Sequence, residues 1–170
     1  MTAERVHIRL ASTADEPEFL AAVDRSRRLH HPWVVPPGTP EAFREYFSRQ
    51  QDPRFAAFFI WLNEPRQLVG VVNLSEIVHG AFRSAYLGYY AFVPCAGRGL
   101  MKDGLAQVIT HAFKTMKLHR LEANIQPDNR KSKALVKKLG FRREGFSPRY
   151  LKINGRWRDH ERWAILCEDW

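Results

Sequence analysis

Two glycines flank a single arginine, Gly97-Arg98-Gly99, where an extended apolar run gives way to a helical one. Ala91, Phe92 and Val93 lead into Pro94. Beyond the glycines, apolar residues recur at 101, 105, 108, 109, 112, 113 and 116, the spacing of one helix face. Glycine-bared amides at a helix N-terminus attract anions, because unpaired N–H groups and aligned peptide dipoles point at one spot. The predicted chemistry is phosphate binding. Downstream, Asn129 and Ser132 open a second predicted helix, with Asn129 as its N-cap and Ser132 at its third position.

Two familiar phosphate loops do not fit. The string G-x-x-x-x-G-K-[ST] is absent. A dinucleotide fingerprint comes closer, since Gly97-x-Gly99 follows a strand and Glu122 lies about 20 residues on. Its third glycine position, however, is Lys102, whose side chain would hold helix and strand apart. The seven histidines contain no H-E-x-x-H or comparable ligand spacing, so no metal is expected.

These residues need a scaffold, and the pattern around them supplies one. Val6 to Leu10 reads as a strand, and Thr13 precedes a helix running to about Leu29. His30 to Pro40, with four prolines and a glycine, reads as a loop, and a short helix follows to about Gln51. Strands are predicted over Phe55 to Leu62, Leu68 to Val78 and Ser84 to Val93. Leu121, Ala123 and Ile125 alternate with polar neighbours in a further strand. Gly140 stops the Asn129 helix, and Asn154-Gly155 joins two last strands as a hairpin. The expected class is α+β, in one domain of 170 residues.

Composition narrows the partners. Twenty-seven Lys and Arg against 18 Asp and Glu give a formal charge of +9, which favours phosphate-bearing partners such as a nucleotide cofactor or RNA. No uncharged apolar run is long enough to cross a membrane, and the N-terminus has no signal-peptide core. Two cysteines, Cys95 and Cys167, form no framework and suit a reducing cytoplasm.

The combination resembles a known family. Phe92-Val-Pro followed by Gly97-Arg-Gly-Leu-Met looks like the pyrophosphate loop of the GNAT superfamily of acetyl-CoA-dependent N-acetyltransferases. His119-Arg-Leu-Glu-Ala-Asn, Pro127-Asp-Asn129-Arg-Lys-Ser132 and Lys138-Leu-Gly-Phe141-x-x-Glu144-Gly145 resemble its second half. Tyr86-Leu-Gly-Tyr-Tyr90 and Tyr150 to His160 are most similar to the RimJ/RimL-type ribosomal-protein-alanine acetyltransferases. The likeness runs from about Leu68 to Trp170. Two loop positions depart from the pattern: Ala96 stands where glutamine or arginine is usual, and Met101 where glycine or alanine is. Since amides rather than these side chains hold the pyrophosphate, the loop is still expected to work.

The resemblance implies a mixed, mostly antiparallel twisted sheet flanked by helices, with acetyl-CoA as cosubstrate. Phe92 and Val93 would offer backbone groups to the pantetheine arm. Arg98, Gly99, Leu100, Met101 and Lys102 would give amides to the pyrophosphate. Asn129 and Ser132 match the family's Asn-x-x-Ser pair, and the Ser132 hydroxyl could donate to the departing thiolate. The implied reaction is direct attack of a neutral amine on the thioester. An α-amine of pKa about 7.7–8.0 is roughly a fifth to a third neutral near pH 7.4, whereas a lysine at about 10.4 is neutral about one part in a thousand. That gap of roughly 3 kcal/mol means an N-terminal acceptor asks little of a general base. Glu76 is the first candidate base, then Glu122 and Tyr150. Cys95 is read as loop filler, and His30-His31 with Trp33 either as a rim of the acceptor cleft or as a mobile loop. The expected acceptor is a protein N-terminus, with ribosomal proteins as one candidate and the basic surface as the face that would touch the ribosome. The alternatives are a small-molecule amine, or an RNA-binding protein with secondary catalysis.

Overall fold

The computed structural model describes residues 5–170. Its strands are β1 (Val6–Leu10), β2 (Ala56–Leu62), β3 (Gln67–Val78), β4 (Ser84–Ala91), β5 (Arg120–Ile125), β6 (Arg142–Ile153) and β7 (Arg156–Leu166). The helices are α1 (Glu16–Arg25), α2 (Arg27–His30), α3 (Pro40–Ser48), α4 (Leu100–Lys114) and α5 (Arg130–Lys138). The strands form one sheet in the order β1-β2-β3-β4-β5-β7-β6. Every pair is antiparallel except β4 and β5, which are joined through α4, the crossover a parallel pair requires.

Two apolar clusters sandwich the sheet. On one face, Leu100, Leu105, Val108, Ile109 and Ala112 of α4 pack against Ile60, Val72, Leu87 and Leu121. On the other, Phe19, Phe43 and Tyr46 of α1 and α3 cover Phe59, Val71, Tyr90 and Phe92. Phe58 to Leu62 are all buried, so β2 is apolar on both faces rather than alternating. No helix among the described residues is long and apolar enough to cross a membrane.

The helix expected from Thr13 to Leu29 is divided. Ser26 leaves helical geometry (φ −107°, ψ 7°), and its hydroxyl accepts a hydrogen bond from Val93 N–H at 3.0 Å. A tertiary bond therefore sets the break between α1 and α2. Only the second of these elements reaches His30, which is buried rather than part of a rim loop.

Candidate active site

The sheet opens between its two parallel strands. β4 pairs with β3 from Ser84 to Ala91, but with β5 only at Ser84–Arg120, Ala85–Leu121 and Tyr86–Glu122. Beyond that rung β5 continues to Ile125 alongside β7, and a gap widens between it and β4. Backbone groups of successive strand residues point alternately to the two sides. Phe92 N–H donates to Val69 at 2.8 Å, so Phe92, Tyr90 and Gly88 address β3, while Tyr89 and Ala91 address the gap.

The backbone groups of Phe92 and Val93 are engaged within the chain. The Phe92 carbonyl accepts from Ala96 N–H at 2.9 Å. Val93 N–H goes to Ser26 Oγ, and its carbonyl accepts from Arg25 Nε at 3.0 Å. The backbone edge left open lies one step back along the strand. Its last carbonyl, Ala91, is met by His30 Nε2 at 2.8 Å, which makes Nε2 the protonated nitrogen. Burial pushes the His30 pKa down, against that hydrogen bond.

At the exit of β4 the chain turns through Gly97 and Gly99, both at φ +80°, with negative φ at the residues between and beside them. Such alternation curls successive amides around a common point. Gly99 caps α4, and its carbonyl takes the amides of Lys102 (3.1 Å) and Asp103 (3.3 Å). No described residue accepts from the amides of Arg98, Gly99, Leu100 or Met101. Lys102 therefore faces the loop with an occupied amide and an exposed ammonium. Asp103, an acid in the first turn, is neutralised by Arg5 at 2.6 Å. Met101 is accommodated by turning its side chain inward, where its sulfur lies over Gly70 of β3.

Two tyrosines approach the gap from opposite faces. Tyr89 packs toward the α4 and α5 side, where its hydroxyl is 2.6 Å from Ser132 Oγ. Asn129 Oδ1 accepts from Ser132 N–H at 3.2 Å, the N-cap of α5. Burial holds the Tyr89 phenol well above its ordinary pKa, opposed by Ser132. On the other face, Tyr150 donates to Tyr86 across 3.4 Å. That bond to Tyr86, with burial, pushes the Tyr150 pKa up to about 12. Tyr150 is thus a phenol near neutral pH and holds its proton.

Glu122, at the last rung, receives Arg120 at 2.9 Å and Asn124 Nδ2 at 3.3 Å. Arg120 also grips both oxygens of Glu144, at 3.0 and 2.5 Å. The Asn124 Oδ1 beside them is buried without a partner among the described residues. Glu76 stands elsewhere. It sits exposed on a bulge of β3, lining a shallow pocket of about 270 Å³ with Arg49, Asp52, Arg54, Phe55 and Ser75. All of β4 lies between β3 and the gap. The structure thus brings Ser132, Tyr150 and Glu122 to the gap and leaves Glu76 outside it. Cys95 is buried, its thiol donating to Gln67 Oε1 at 3.4 Å, with burial raising its pKa.

A parallel pair that parts above an amide-lined loop defines a class, and the sequence falls within it. Residues 5–142 match the acetyltransferase (GNAT) domain family, and the chain belongs to that family. Among characterised relatives it is 39% identical over 117 residues to the [ribosomal protein uS5]-alanine N-acetyltransferase of Escherichia coli, covering 68% of this chain and 60% of that protein. The matched segment thus spans about three-fifths of that relative's length. It is 36% identical over 132 residues to the probable N-acetyltransferase YjcK of Bacillus subtilis, covering 78% of this chain and 73% of the other. Mycobacterium smegmatis RimJ in complex with CoA-disulfide superposes with a TM-score of 0.88 at 30% identity, over 96% of this chain and 82% of the other.

Proposed function

We propose that this chain moves the acetyl group of acetyl-CoA onto an amine, and that its acceptor is the N-terminal α-amine of a protein, with ribosomal proteins as the first class to test. The observation that carries the reading is the continuity of the gap. It runs from the open amides of Arg98 to Met101, along the edge of β4 at Tyr89 and Ala91 that β5 leaves unpaired, to the rung Tyr86–Glu122. Phosphates belong at its amide end, the pantetheine arm along its edge, and the thioester near the rung. The ammonium of Lys102 adds charge at the phosphate end.

In the reaction the amine nitrogen bonds the thioester carbon, the carbon–sulfur bond breaks, and the amine proton passes to solvent or to Glu122. Glu122 replaces Glu76 as the carboxylate placed to receive it. Tyr150, which keeps its proton, orients the acceptor or donates; it is not the base. The Ser132 hydroxyl, backed by Tyr89 at 2.6 Å, donates a hydrogen bond to the departing thiolate, which then takes its proton from solvent. A thiolate of ordinary pKa near 8.5 leaves readily, so that help is worth the low end of acid catalysis. Ser132→Ala is expected to lower kcat by about tenfold to a hundredfold while changing acetyl-CoA affinity by less than about threefold. Steady-state kinetics beside calorimetric titration separate the two, and the opposite pattern would make Ser132 a binding contact only.

The acceptor is tested by mass spectrometry. The protein is incubated with acetyl-CoA and with peptides bearing ribosomal-protein N-termini, the same peptides blocked at the α-amine, and polyamines and amino sugars. One acetyl group on the free α-amine, absent from the blocked peptides, is the expected result. Transfer to small amines alone would overturn the acceptor and keep the transferase. RNA binding without any transfer would overturn both. The exposed face of the final hairpin, with Lys152, Arg156 and Trp157, is the surface proposed to meet the ribosome.

A further inference from the structure

Away from the gap, three donors of different chemistry converge. The His119 imidazole, the Cys167 thiol and the Glu168 carboxylate place their ligand atoms all within 4.8 Å of one another. His119 Nε2 lies 3.1 Å from Glu168 Oε1, and Cys167 Sγ lies 3.3 Å from Glu168 Oε2. From these positions we infer a binding site for one zinc-like divalent cation, with His119 Nε2, Cys167 Sγ and a Glu168 oxygen as ligands and water in the fourth place.

The spacing suits the ion. Tetrahedral zinc with bonds of about 2.0–2.1 Å to nitrogen, 2.3 Å to sulfur and 2.0–2.2 Å to oxygen holds its ligand atoms roughly 3.4–3.6 Å apart. Small side-chain rotations reach that geometry. The donor set selects the metal class, since thiolate and imidazole favour zinc and its neighbours over calcium or magnesium. Two ligands are also fixed in advance. The β5–β7 ladder pairs Arg120 with Leu166 and extends one step further, Cys167 N–H donating to the His119 carbonyl at 2.9 Å. The ligands therefore hang from paired backbone rather than from a loose tail. His119 and Glu168 are partly exposed, at 36% and 65%, which leaves an entry path.

The site lies at the paired end of β5, before the strand reaches the Tyr86–Glu122 rung. Its place suggests a staple. The ion would tie the last turn, Cys167–Asp169, to the start of β5, beside the bond from Trp170 Nε1 to Thr110 of α4. Sequence spacing could not indicate it, because His119 and Glu168 are 49 residues apart. Binding through sulfur displaces the thiol proton to solvent.

Cobalt(II) alone is the probe. Chelator-stripped protein titrated with cobalt should gain thiolate-to-cobalt charge-transfer absorption that saturates at one equivalent and disappears on adding zinc. Cys167→Ser should abolish the band, and Cys95→Ser should retain it. Glu168→Gln, at an exposed position, should weaken binding by more than about tenfold, since even outer-shell partners are worth that much. Thermal unfolding in chelator should match between the wild type and both Cys167→Ser and Glu168→Gln, so that the loss is one of ligand and not of fold. Should Cys167→Ser unfold, Glu168→Gln decides. No band up to ~1 mM cobalt, and so a Kd weaker than about 1 mM, would overturn the site. So would a band that survives Cys167→Ser, or unchanged affinity in Glu168→Gln.

Discussion

Gly99→Asp is expected to raise the Kd for acetyl-CoA by about 100-fold or more in calorimetric titration. Space is not the reason. A Cβ at Gly99 would meet only the Arg5 guanidinium, at 3.5 Å. Two other effects act together. Gly99 sits at φ +80°, where an L-residue pays about 1–2 kcal/mol, less for aspartate and asparagine than for most. The new carboxylate would also stand at the amide cluster that the pyrophosphate needs, reversing a helix-terminus attraction worth up to about 2 kcal/mol. The strained loop of the variant relaxes out of this geometry when free, so binding has to restore it, and the sum of the two effects, about 3 kcal/mol, is two orders of magnitude in affinity. Arg5 offers little relief, because it is already bound to Asp103 at 2.6 Å.

Gly99→Asn separates the two effects. Asparagine shares the tolerance for left-handed backbone and the shape of aspartate but carries no charge, so it should cost only about tenfold. Equal losses in the two variants would mean that backbone geometry alone is at work. Affinity unchanged within about threefold in Gly99→Asp would remove the loop from the cofactor site and, with it, the basis of the acyl-transfer reading.

The loop was legible in the sequence because its signals are local: two glycines, a preceding strand, a following helical period. So were the Asn129 cap and the Asn154-Gly155 hairpin, which the structure forms as β6 and β7. Long-range information was not legible. That Tyr89 and Ala91, rather than Phe92, face away from β3 follows from a hydrogen bond to Val69, on another strand, which sets which residues face which way. The break at Ser26 depends on Val93, and the partner of Ser132 is Tyr89, 43 residues earlier. Glu122 outranked Glu76 only once the pairing order placed β4 between β3 and the gap. In each case the residue types were visible, and the register that joins or separates them was not.

Met101 shows the same point with an energy attached. In sequence it is a departure, a long side chain where the family keeps a small one. In the structure β3 supplies the missing smallness: a Cβ at Gly70 would come within 2.6 Å of Met101 Sδ and 2.7 Å of the Tyr90 carbonyl. Gly70→Ala should therefore overpack this contact and cost about 2–3 kcal/mol, a fall of roughly 5–10 °C in Tm for a chain of this size. Met101→Ala alone empties a buried site and should cost about 2–4 kcal/mol. Combined, the two changes relieve each other, because the new methyl occupies space the sulfur has left. The double variant should then be less destabilised than the sum of the single ones by about 1–2 kcal/mol, measured by urea unfolding. Relief is incomplete, since the Tyr90 carbonyl belongs to β4 and cannot rotate away. Acetyl-CoA affinity should follow the same pattern, because the contact seats the first turn of α4, whose amides belong to the proposed anion site. Additivity within about 0.5 kcal/mol would show that Gly70 and Met101 are not a compensating pair, and that the helix finds its seat on the sheet by other contacts.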